Sequence, residues 1–311
     1  MKLIEDLQQI KAPFKNAVIS IGNFDGVHIG HQALFHQVIE KAEAIGGTSV
    51  AMTFEPHPIR VLAKNGRLPL ITMYEQKVEL IARTGIDVLI CVPFTQTFAE
   101  ISAHDFVSEL LVKKIGTKAI VVGQDYAFGK NREGDLNFLQ AYGKDLDFEV
   151  IVVDWIDSPQ SHQMRTSSTR IRELVEQGLV DEAQKMLGRH YQIRGTVEYG
   201  RNRGGRLLGF PTANIFLQDE LCPKTGVYAV TVECNDAKYL GVANIGYSPT
   251  FDDHQFTVEV HILDFDADIY QQKIRVNFVN RIRDEIKFGG IDELSDQITN
   301  DIQVARDLLS L

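Results

Sequence analysis

The residues best suited to chemistry in the N-terminal half lie in a glycine-rich turn, residues 22–31, that leads into a helix-like pattern. Two imidazoles, His28 and His31, are three residues apart and therefore share one face of the first helical turn. A helix N-terminus presents unpaired N–H groups and a partial positive charge, which suits phosphate. We expect the two imidazoles to donate hydrogen bonds to phosphate oxygens and to stabilise charge in a transition state.

Other interpretations of this turn stay open. The two histidines could bind a metal ion, although the H-E-x-x-H pattern and a third ligand are missing, or they could be ordinary surface residues. The glycine spacing does not match the G-x-G-x-x-G of dinucleotide-binding turns. The closest approach to a P-loop, residues 123–131, has one residue too many and Asn where Ser or Thr belongs.

A second candidate phosphate-binding segment, residues 165–172, opens a later helix-like pattern. It carries four hydroxyl side chains and three arginines. Hydroxyl and N–H groups at a helix start bind phosphate, and arginines can offset the charge of a leaving pyrophosphate. An ordinary helix cap needs only one such hydroxyl, so the pattern favours phosphate binding. Two loops that follow predicted strands, residues 54–58 and 123–129, are expected to complete the pocket, although each alone could be a plain turn.

In the C-terminal half, residues 209–214 and Glu259 form the candidate site. Residues two apart on a strand face the same way, so Thr212 and Asn214 should offer hard oxygen ligands for Mg²⁺ and ATP phosphates. Glu259 and His261 share a face opposite the neighbouring valines. We expect Glu259 on the inner face of a small barrel. Burying a carboxylate there costs free energy of folding, so the residue is expected to have a function, such as taking a proton from an attacking hydroxyl. The alternative is a solvent-facing residue on an edge strand.

The first half of the chain alternates short Val/Ile-rich runs with helix-period segments. The runs lack in-out alternation, which is typical of strands buried on both faces of a parallel sheet. Repeated β-α-β units predict an α/β doubly wound parallel sheet, in which ligands lie at the carboxyl ends of the strands. The predicted strands are 17–21, 49–54, 88–92, 119–122 and 149–153.

The second half begins with two helix-like segments within residues 167–187, which Gly188 ends as a C-terminal glycine commonly does. Short alternating runs with glycine-rich turns then predict an antiparallel sandwich or barrel, and residues 291–309 return to helix. We therefore predict two domains, 1–187 and 188–311. The predicted strands of the second are 191–199, 226–234, 239–245, 256–263 and 273–278.

Composition restricts the partners. The 311 residues carry a net charge of −10, which gives no electrostatic footprint for nucleic acid. Three cysteines without C-x-x-C spacing argue against a disulfide framework and a zinc site, and favour a reducing compartment. Acidic residues close to the start of the sequence argue against a signal peptide, and no apolar run approaches membrane-spanning length. We expect a cytoplasmic protein that acts on small molecules without nucleic acid or membrane; the sequence sets no expectation for the oligomeric state.

Together, these motifs closely resemble those of the prokaryotic bifunctional riboflavin kinase/FAD synthetase family. Residues 28–31 match the H-x-G-H signature of the nucleotidyltransferase superfamily, whereas the K-M-S-K-S motif of its tRNA synthetases is absent. The resemblance covers approximately residues 15–309. Its strongest matches are G-N-F-D-G-V-H-x-G-H, F-E-P-H-P, S-S-T-x-I-R, G-F-P-T-A-N and V-E-V-H.

The resemblance implies two reactions, both with Mg²⁺ and with ATP as co-substrate. The C-terminal domain would transfer the γ-phosphoryl group of ATP to the ribityl 5′-hydroxyl of riboflavin, giving FMN. The N-terminal domain would transfer AMP from ATP to FMN, giving FAD and pyrophosphate. The implied folds are a doubly wound parallel sheet of the H-x-G-H nucleotidyltransferase type and a six-stranded antiparallel barrel with a C-terminal helix.

The resemblance also implies roles for individual residues. The catalytic residues would be His28, His31 and Glu259. ATP and FMN in the adenylyltransferase would be held by Gly22, Asn23, Asp25, Asp125, Arg165, Ser168, Thr169 and Arg172. ATP and flavin in the kinase would be held by Gly209, Pro211, Thr212, Asn214 and Arg283. Thr212 and Asn214 would bind Mg²⁺, and residues 283–288 would form a flap on the flavin side.

Three rival functions stay open at this point. The chain could be a single-function nucleotidyltransferase whose barrel only binds flavin. It could be a tRNA-dependent enzyme, which the net charge and the missing K-M-S-K-S motif oppose. It could also be a flavin sensor that kept the pockets without the chemistry.

Overall fold

The computed structural model describes residues 1–63, 68–154, 165–198, 210–217, 219–247 and 256–310. Its contacts divide the chain into an N-terminal unit, Met1–Ser167, and a C-terminal unit, Ser168–Leu311. Residues 168–187 are thus counted with the C-terminal unit, because their second helix packs against two strands of that unit. The boundary at Gly188 stays a prediction.

The N-terminal unit is built on a six-stranded sheet in which every paired strand is parallel. The strands are β1 (Lys2–Ile4), β2 (Ala17–Ile21), β3 (Ser49–Glu55), β4 (Val88–Pro93), β5 (Thr117–Gly123) and β6 (Glu149–Val153). The five predicted strands are confirmed. Strand β1 was not predicted, because it is only three residues long and two of them are exposed.

Helices cover both faces of this sheet, which confirms the doubly wound fold. They are α1 (Ile29–Ala44), α2 (Pro58–Leu62), α3 (Tyr74–Ala82), α4 (Gln96–Ala99), α5 (Ala103–Asp105), a π-helix (Phe106–Ile115) and α6 (Leu136–Leu146), with 3₁₀ turns at Leu7–Gln9 and Lys130–Arg132. Neighbouring residues of β2 enter different cores: Val18 packs with Phe35 of α1, and Ile19 packs with Leu111 of the π-helix. This two-sided burial explains why the strands read as continuous apolar runs.

The order of the strands in the sheet indicates where a ligand crevice lies. The order is β1-β4-β3-β2-β5-β6, so the chain winds one way from β2 through β3 and β4 and the other way through β5 and β6. In open parallel sheets, ligands bind at the carboxyl ends of the strands where the winding reverses. Here that point lies between β2 and β5, and the turn at residues 22–31 directly follows β2.

The C-terminal unit is an antiparallel barrel preceded by two helices and followed by one. Its elements are α7 (Ser168–Glu176), α8 (Val180–Leu187), β7 (Tyr191–Thr196), β8 (Ala213–Phe216), β9 (Gly226–Cys234), β10 (Ala237–Tyr247), β11 (Phe256–Ile262), β12 (Lys273–Arg283) and α9 (Ile291–Leu309). The strand order is β7-β12-β9-β10-β11-β8, and a bridge between Glu198 and Asn214 nearly closes the ring. The predicted barrel and C-terminal helix are confirmed.

The two faces of the barrel sheet bury different groups. Tyr228, Val258 and Val260 are fully buried and face its interior. On the outer face, Val227 and Val242 pack against Ala305 of α9, so the C-terminal helix covers part of the outside of the barrel. Among the described residues, no helix is long and apolar enough to cross a membrane.

Candidate active sites

The two histidines of the first site meet at the start of α1. His28 caps the helix, and its Nδ1 accepts the backbone N–H of His31 at 3.3 Å. The two rings are stacked, with centroids 3.5 Å apart and planes 18° from parallel. Because Nδ1 is an acceptor, a neutral His28 carries its proton on Nε2 and can donate it to a ligand. The predicted pairing of the two imidazoles at a helix N-terminus is confirmed. In the described part of the chain, no cluster of three or more His, Cys, Asp or Glu residues could hold a metal ion.

Asp25 holds the turn that precedes α1. Its carboxylate is 3% exposed and accepts hydrogen bonds from the backbone N–H groups of Ile71 and Thr72, at 3.2 and 3.0 Å. The Thr72 hydroxyl donates to Asp25 at 3.1 Å and accepts the backbone N–H of Gly26 at 2.9 Å. These contacts hold the turn itself, and the direct role of Asp25 in holding ATP stays a prediction. They fix a strained backbone, since Val27 has a φ of 41°.

We expect Thr72→Val to destabilise the N-terminal unit by about 1–3 kcal/mol, because the two buried hydrogen bonds of the Thr72 hydroxyl, to Asp25 and from Gly26, are lost. A drop of several degrees in the melting temperature would show this. Thr84→Val is the matched control, since the Thr84 hydroxyl donates only to the carbonyl of Ile81 at the end of α3. Equal melting temperatures for the two variants would contradict the anchoring role.

Strand β3 positions the remaining residues of the turn. The N–H of Gly22 donates to the carbonyl of Met52 at 3.0 Å, and the Thr53 hydroxyl donates to the carbonyl of Asn23 at 3.1 Å. The predicted Gly22 and Asn23 are thus held through their backbones at the carboxyl end of β2. A Cβ on Gly22 would lie 2.9 Å from the ring of Phe24, so any larger residue there would displace that ring.

The sequence analysis did not assign two buried cationic or titratable side chains, one in the loop after β3 and the other in α3. His57 caps α2 through Nδ1, which accepts the N–H of Ile59 at 3.3 Å. Lys77 of α3 is buried, with Nζ 3.3 Å from the carbonyl of Phe54 and 3.4 Å from Oε2 of Glu55. The F-E-P-H-P pattern pointed to the loop that holds His57, whereas nothing in the sequence distinguishes Lys77 from a surface lysine.

Asp125 and Arg165, which were predicted separately, form an ion pair of 2.6 Å in the N-terminal unit. Both side chains are substantially exposed, so the pair contributes little to stability and can exchange partners when a charged ligand binds. Ser168, Thr169 and Arg172 lie in α7, which belongs to the C-terminal unit. Their phosphate-binding role stays a prediction.

The second site is a cavity of about 460 Å³ in the C-terminal unit, within the size range of small-molecule pockets. Three predicted residues, Thr212, Glu259 and Arg283, line it. The other walls are largely apolar and include Phe210, Ile286, Phe288, Leu294 and Ile298. A few polar groups within apolar walls suit a mostly apolar ligand that the polar groups orient.

Glu259 lies on the outer face of the barrel, and the expectation of an inner-face position was wrong. Val258 and Val260 fill the interior, so the residue between them points outward into the cavity. Its strand pairs with β8 and β10 and is not an edge strand. The register places Glu259 opposite Asn214 on one side and Asn244 on the other. Burial raises the pKa of the Glu259 carboxyl above its ordinary value.

The segment before β8 is attached to the strand that carries Glu259. A ring N–H of His261 donates from Nδ1 to the carbonyl of Pro211 at 2.8 Å, and the ring lies edge-on to Phe210. Asn214 is buried, and its Nδ2 lies 3.4 Å from the carbonyl of Thr212. The structure thus places the predicted Pro211, Thr212 and Asn214 close to the strand that carries Glu259. Gly209 lies outside the described residues.

The sequence analysis did not assign two polar residues of this cavity. Asn244 lines it from β10, and Asp301 lines it from α9. Asp301 binds the predicted Arg283 through three hydrogen bonds of 2.7–3.0 Å. The alternation of β10 could have identified Asn244 as a polar residue on the face of Glu259. Asp301 gave no signal, because acidic residues are common along α9.

Sequence models of two families match the chain, FAD synthetase over residues 10–170 and riboflavin kinase over residues 187–309. Two similar proteins are described as bifunctional riboflavin kinase/FMN adenylyltransferase. That of Listeria monocytogenes is 40% identical, with 94% of this chain and 92% of the relative covered. That of Escherichia coli K12 is 38% identical, with 100% and 99% covered.

A solved structure has the same fold over nearly the whole length. It is a protein of Streptococcus pneumoniae described as a macrolide-efflux protein, 35% identical, with a TM-score of 0.88 and 98% of each chain covered. The efflux description applies to that protein, and the likeness supports the architecture found here.

Proposed function

Because this chain belongs to the bifunctional riboflavin kinase/FMN adenylyltransferase family, we propose that each of its two reactions is carried by one of the two sites above. The enzyme phosphorylates riboflavin to FMN and adenylates FMN to FAD, with ATP as the co-substrate of both. We assign adenylyl transfer to residues 1–187 and the kinase to residues 188–311. The observation that carries this assignment is the half-buried Glu259 in an apolar cavity of the C-terminal unit, together with the paired histidines at the switch point of the parallel sheet in the N-terminal unit.

In the adenylyltransferase, a phosphate oxygen of FMN attacks the α-phosphorus of ATP, and pyrophosphate leaves. The start of α1 offers N–H groups to the phosphates, and His28 offers a donor at Nε2. Negative charge grows on the phosphoryl oxygens in the transition state, where fixed donors stabilise it most. The stacked His31 ring and the buried Asp25 contacts keep that donor in place. Arg165 and Asp125 supply charged groups for the two substrates.

Gly30→Ala tests whether the placement of His28 matters. A Cβ at residue 30 would lie 3.2 Å from two atoms of the His28 ring, so the ring must shift by a few tenths of an ångström. We expect FAD formation from FMN to fall roughly 10–100-fold, because small misplacements of catalytic groups are costly. FMN formation by the same protein is the internal control. A variant with normal FAD formation would show that the ring position is not critical.

In the kinase, Glu259 accepts the proton of the ribityl 5′-hydroxyl as its oxygen attacks the γ-phosphorus of ATP. The raised pKa makes this carboxylate a stronger base than an exposed glutamate. The apolar walls hold the flavin ring, and the segment of Thr212 and Asn214 holds the phosphates.

The donor set of this site suits Mg²⁺. Asn214 is buried, and its Nδ2 is turned to the carbonyl of Thr212, which leaves its Oδ1 as the oxygen for a cation. A threonine hydroxyl and an amide oxygen are hard ligands of the kind that Mg²⁺ binds together with substrate phosphates. The ion would neutralise charge on the ATP phosphates. We place the enzyme in the cytoplasm, since none of its three cysteines forms a disulfide.

Product analysis tests the proposal. The full chain is incubated with riboflavin, ATP and Mg²⁺, and flavins are separated over time. We expect FMN first and FAD afterwards. Formation of FAD only from added FMN would favour the single-function nucleotidyltransferase with a non-catalytic barrel, and omission of Mg²⁺ should stop both reactions.

A further inference from the structure

A buried ion pair connects the C-terminal helix to the wall of the kinase cavity. The guanidinium of Arg283, the last residue of β12, binds the Asp301 carboxylate of α9 through Nε at 2.9 and 3.0 Å and through Nη2 at 2.7 Å. The Asp301 side chain is 3% exposed. Gln297, one turn earlier on α9, donates to the same carboxylate at 2.8 Å. A pair this enclosed fixes both partners in one geometry.

The same arginine fixes the start of the loop at residues 284–290. Its Nη1 donates to the carbonyl of Asp284 at 2.9 Å, and its Cζ lies 5.9 Å from the ring centre of Phe288. This loop contributes Ile286 and Phe288 to the cavity. Ile286 is 49% exposed although it lines the cavity, so an apolar ligand there would cover it.

The charge of this ion pair argues against a role in binding the phosphates of ATP. Asp301 neutralises Arg283 inside the protein, so the guanidinium does not present a net positive charge to ATP. Nη1 and Nη2 are already engaged by Asp284 and Asp301. The pair therefore suits a role in shaping the apolar wall better than a role in binding the triphosphate.

We propose that Asp301 is a positioning residue for riboflavin: through Arg283 it holds the 284–290 loop as one wall of the flavin pocket. This inference rests on the assignment of the cavity to the kinase. Asp301 sets the affinity for flavin and leaves ATP binding unchanged, because its contacts lead to the loop and not to the segment of Thr212 and Asn214.

The test is Asp301→Asn in the full chain, with FMN formation measured against riboflavin and ATP separately. We expect the KM and the fluorescence-derived Kd for riboflavin to rise roughly 10–100-fold, and the KM for ATP to change less than about twofold. Hydrogen exchange in residues 284–290 should become faster. Gln297→Met, which removes one hydrogen bond to the same carboxylate, should shift riboflavin binding in the same direction by a smaller factor.

Asp264→Asn is the matched control. It breaks the exposed pair with Arg306 on the same helix, at 2.8 Å, and should change the riboflavin constants less than about twofold. The proposal fails if riboflavin binding by Asp301→Asn is unchanged. It also fails if the KM values for both substrates and the melting temperature change together, in which case Asp301 only stabilises the barrel. If Asp301→Asn does not fold, the same measurements on Gln297→Met decide whether riboflavin binding alone changes, as proposed, or whether binding is unchanged or both KM values and the melting temperature change together. Persistence of FMN formation in Glu259→Gln would instead disprove the site assignment itself.

Discussion

Replacing Glu259 with glutamine is expected to lower the rate of FMN formation by roughly 10²–10⁴-fold, the usual contribution of a general base. The amide keeps the shape of the side chain and its place between Asn214 and Asn244, but it cannot accept the proton of the attacking hydroxyl. The measurement is kcat for riboflavin phosphorylation at saturating ATP. FAD formation from added FMN should be unchanged, since it takes place in the other site.

The same substitution should stabilise the barrel. Burial raises the pKa of Glu259, so the folded state binds its proton more tightly than the unfolded state. Stability is therefore lost as the pH rises through the folded pKa, and above that pH the ionised carboxylate destabilises the fold. Glu259→Gln removes that charge, and its melting temperature should exceed that of the unaltered enzyme. Stabilisation together with lost activity is the expected sign of a functional group.

The pH profile gives an independent check. The base must be ionised, so FMN formation should fall as the pH drops through the pKa of Glu259, and that decline should begin above the range of an ordinary glutamate. Glu233→Gln is the matched control, because Glu233 lies on β9 of the same sheet and is partly exposed. If Glu259→Gln retained full kinase activity, the assignment of the kinase reaction to this cavity would be wrong.

Replacing His28 with alanine should lower FAD formation by roughly 10²–10³-fold, the usual effect of losing one preorganised donor to a developing charge. The substitution also removes the cap on the His31 N–H at the start of α1, which adds a smaller loss of helix stability. Single-turnover measurements with FMN and ATP would report the chemical step. FMN formation from riboflavin should continue, so FMN should accumulate without conversion to FAD.

His36→Ala is the matched control for this prediction. His36 lies on the same helix and is 70% exposed, away from the helix start, and its loss should leave both activities unchanged. Accumulation of FAD at the normal rate in His28→Ala would show that the imidazole does not contact the reacting phosphate. The phosphate site would then have to rely on backbone N–H groups alone.

Local sequence patterns determined much of the N-terminal site. Short Val/Ile runs can be buried on both faces only in a covered parallel sheet, and loops after such strands come together at one edge. This was sufficient to predict that the turn at residues 22–31 and the loop that contains Asp125 follow strands whose carboxyl ends lie at the same edge of the sheet. In the barrel, the two-residue period of a strand predicted that Glu259 shares a face with His261 and faces away from the valines.

The tertiary structure alone decided which face of the barrel is outside and which distant residues meet. Alternation separates two faces, but only the packing of α9 on the outer face shows that Glu259 opens into a cavity there. The hydrogen-bond partners of Asp25 lie 46 and 47 residues further along the chain. Asp301, the partner of Arg283, lies 18 residues further along. Hydrogen bonds of this kind depend on the packing of whole elements, and no local period in the chain records them.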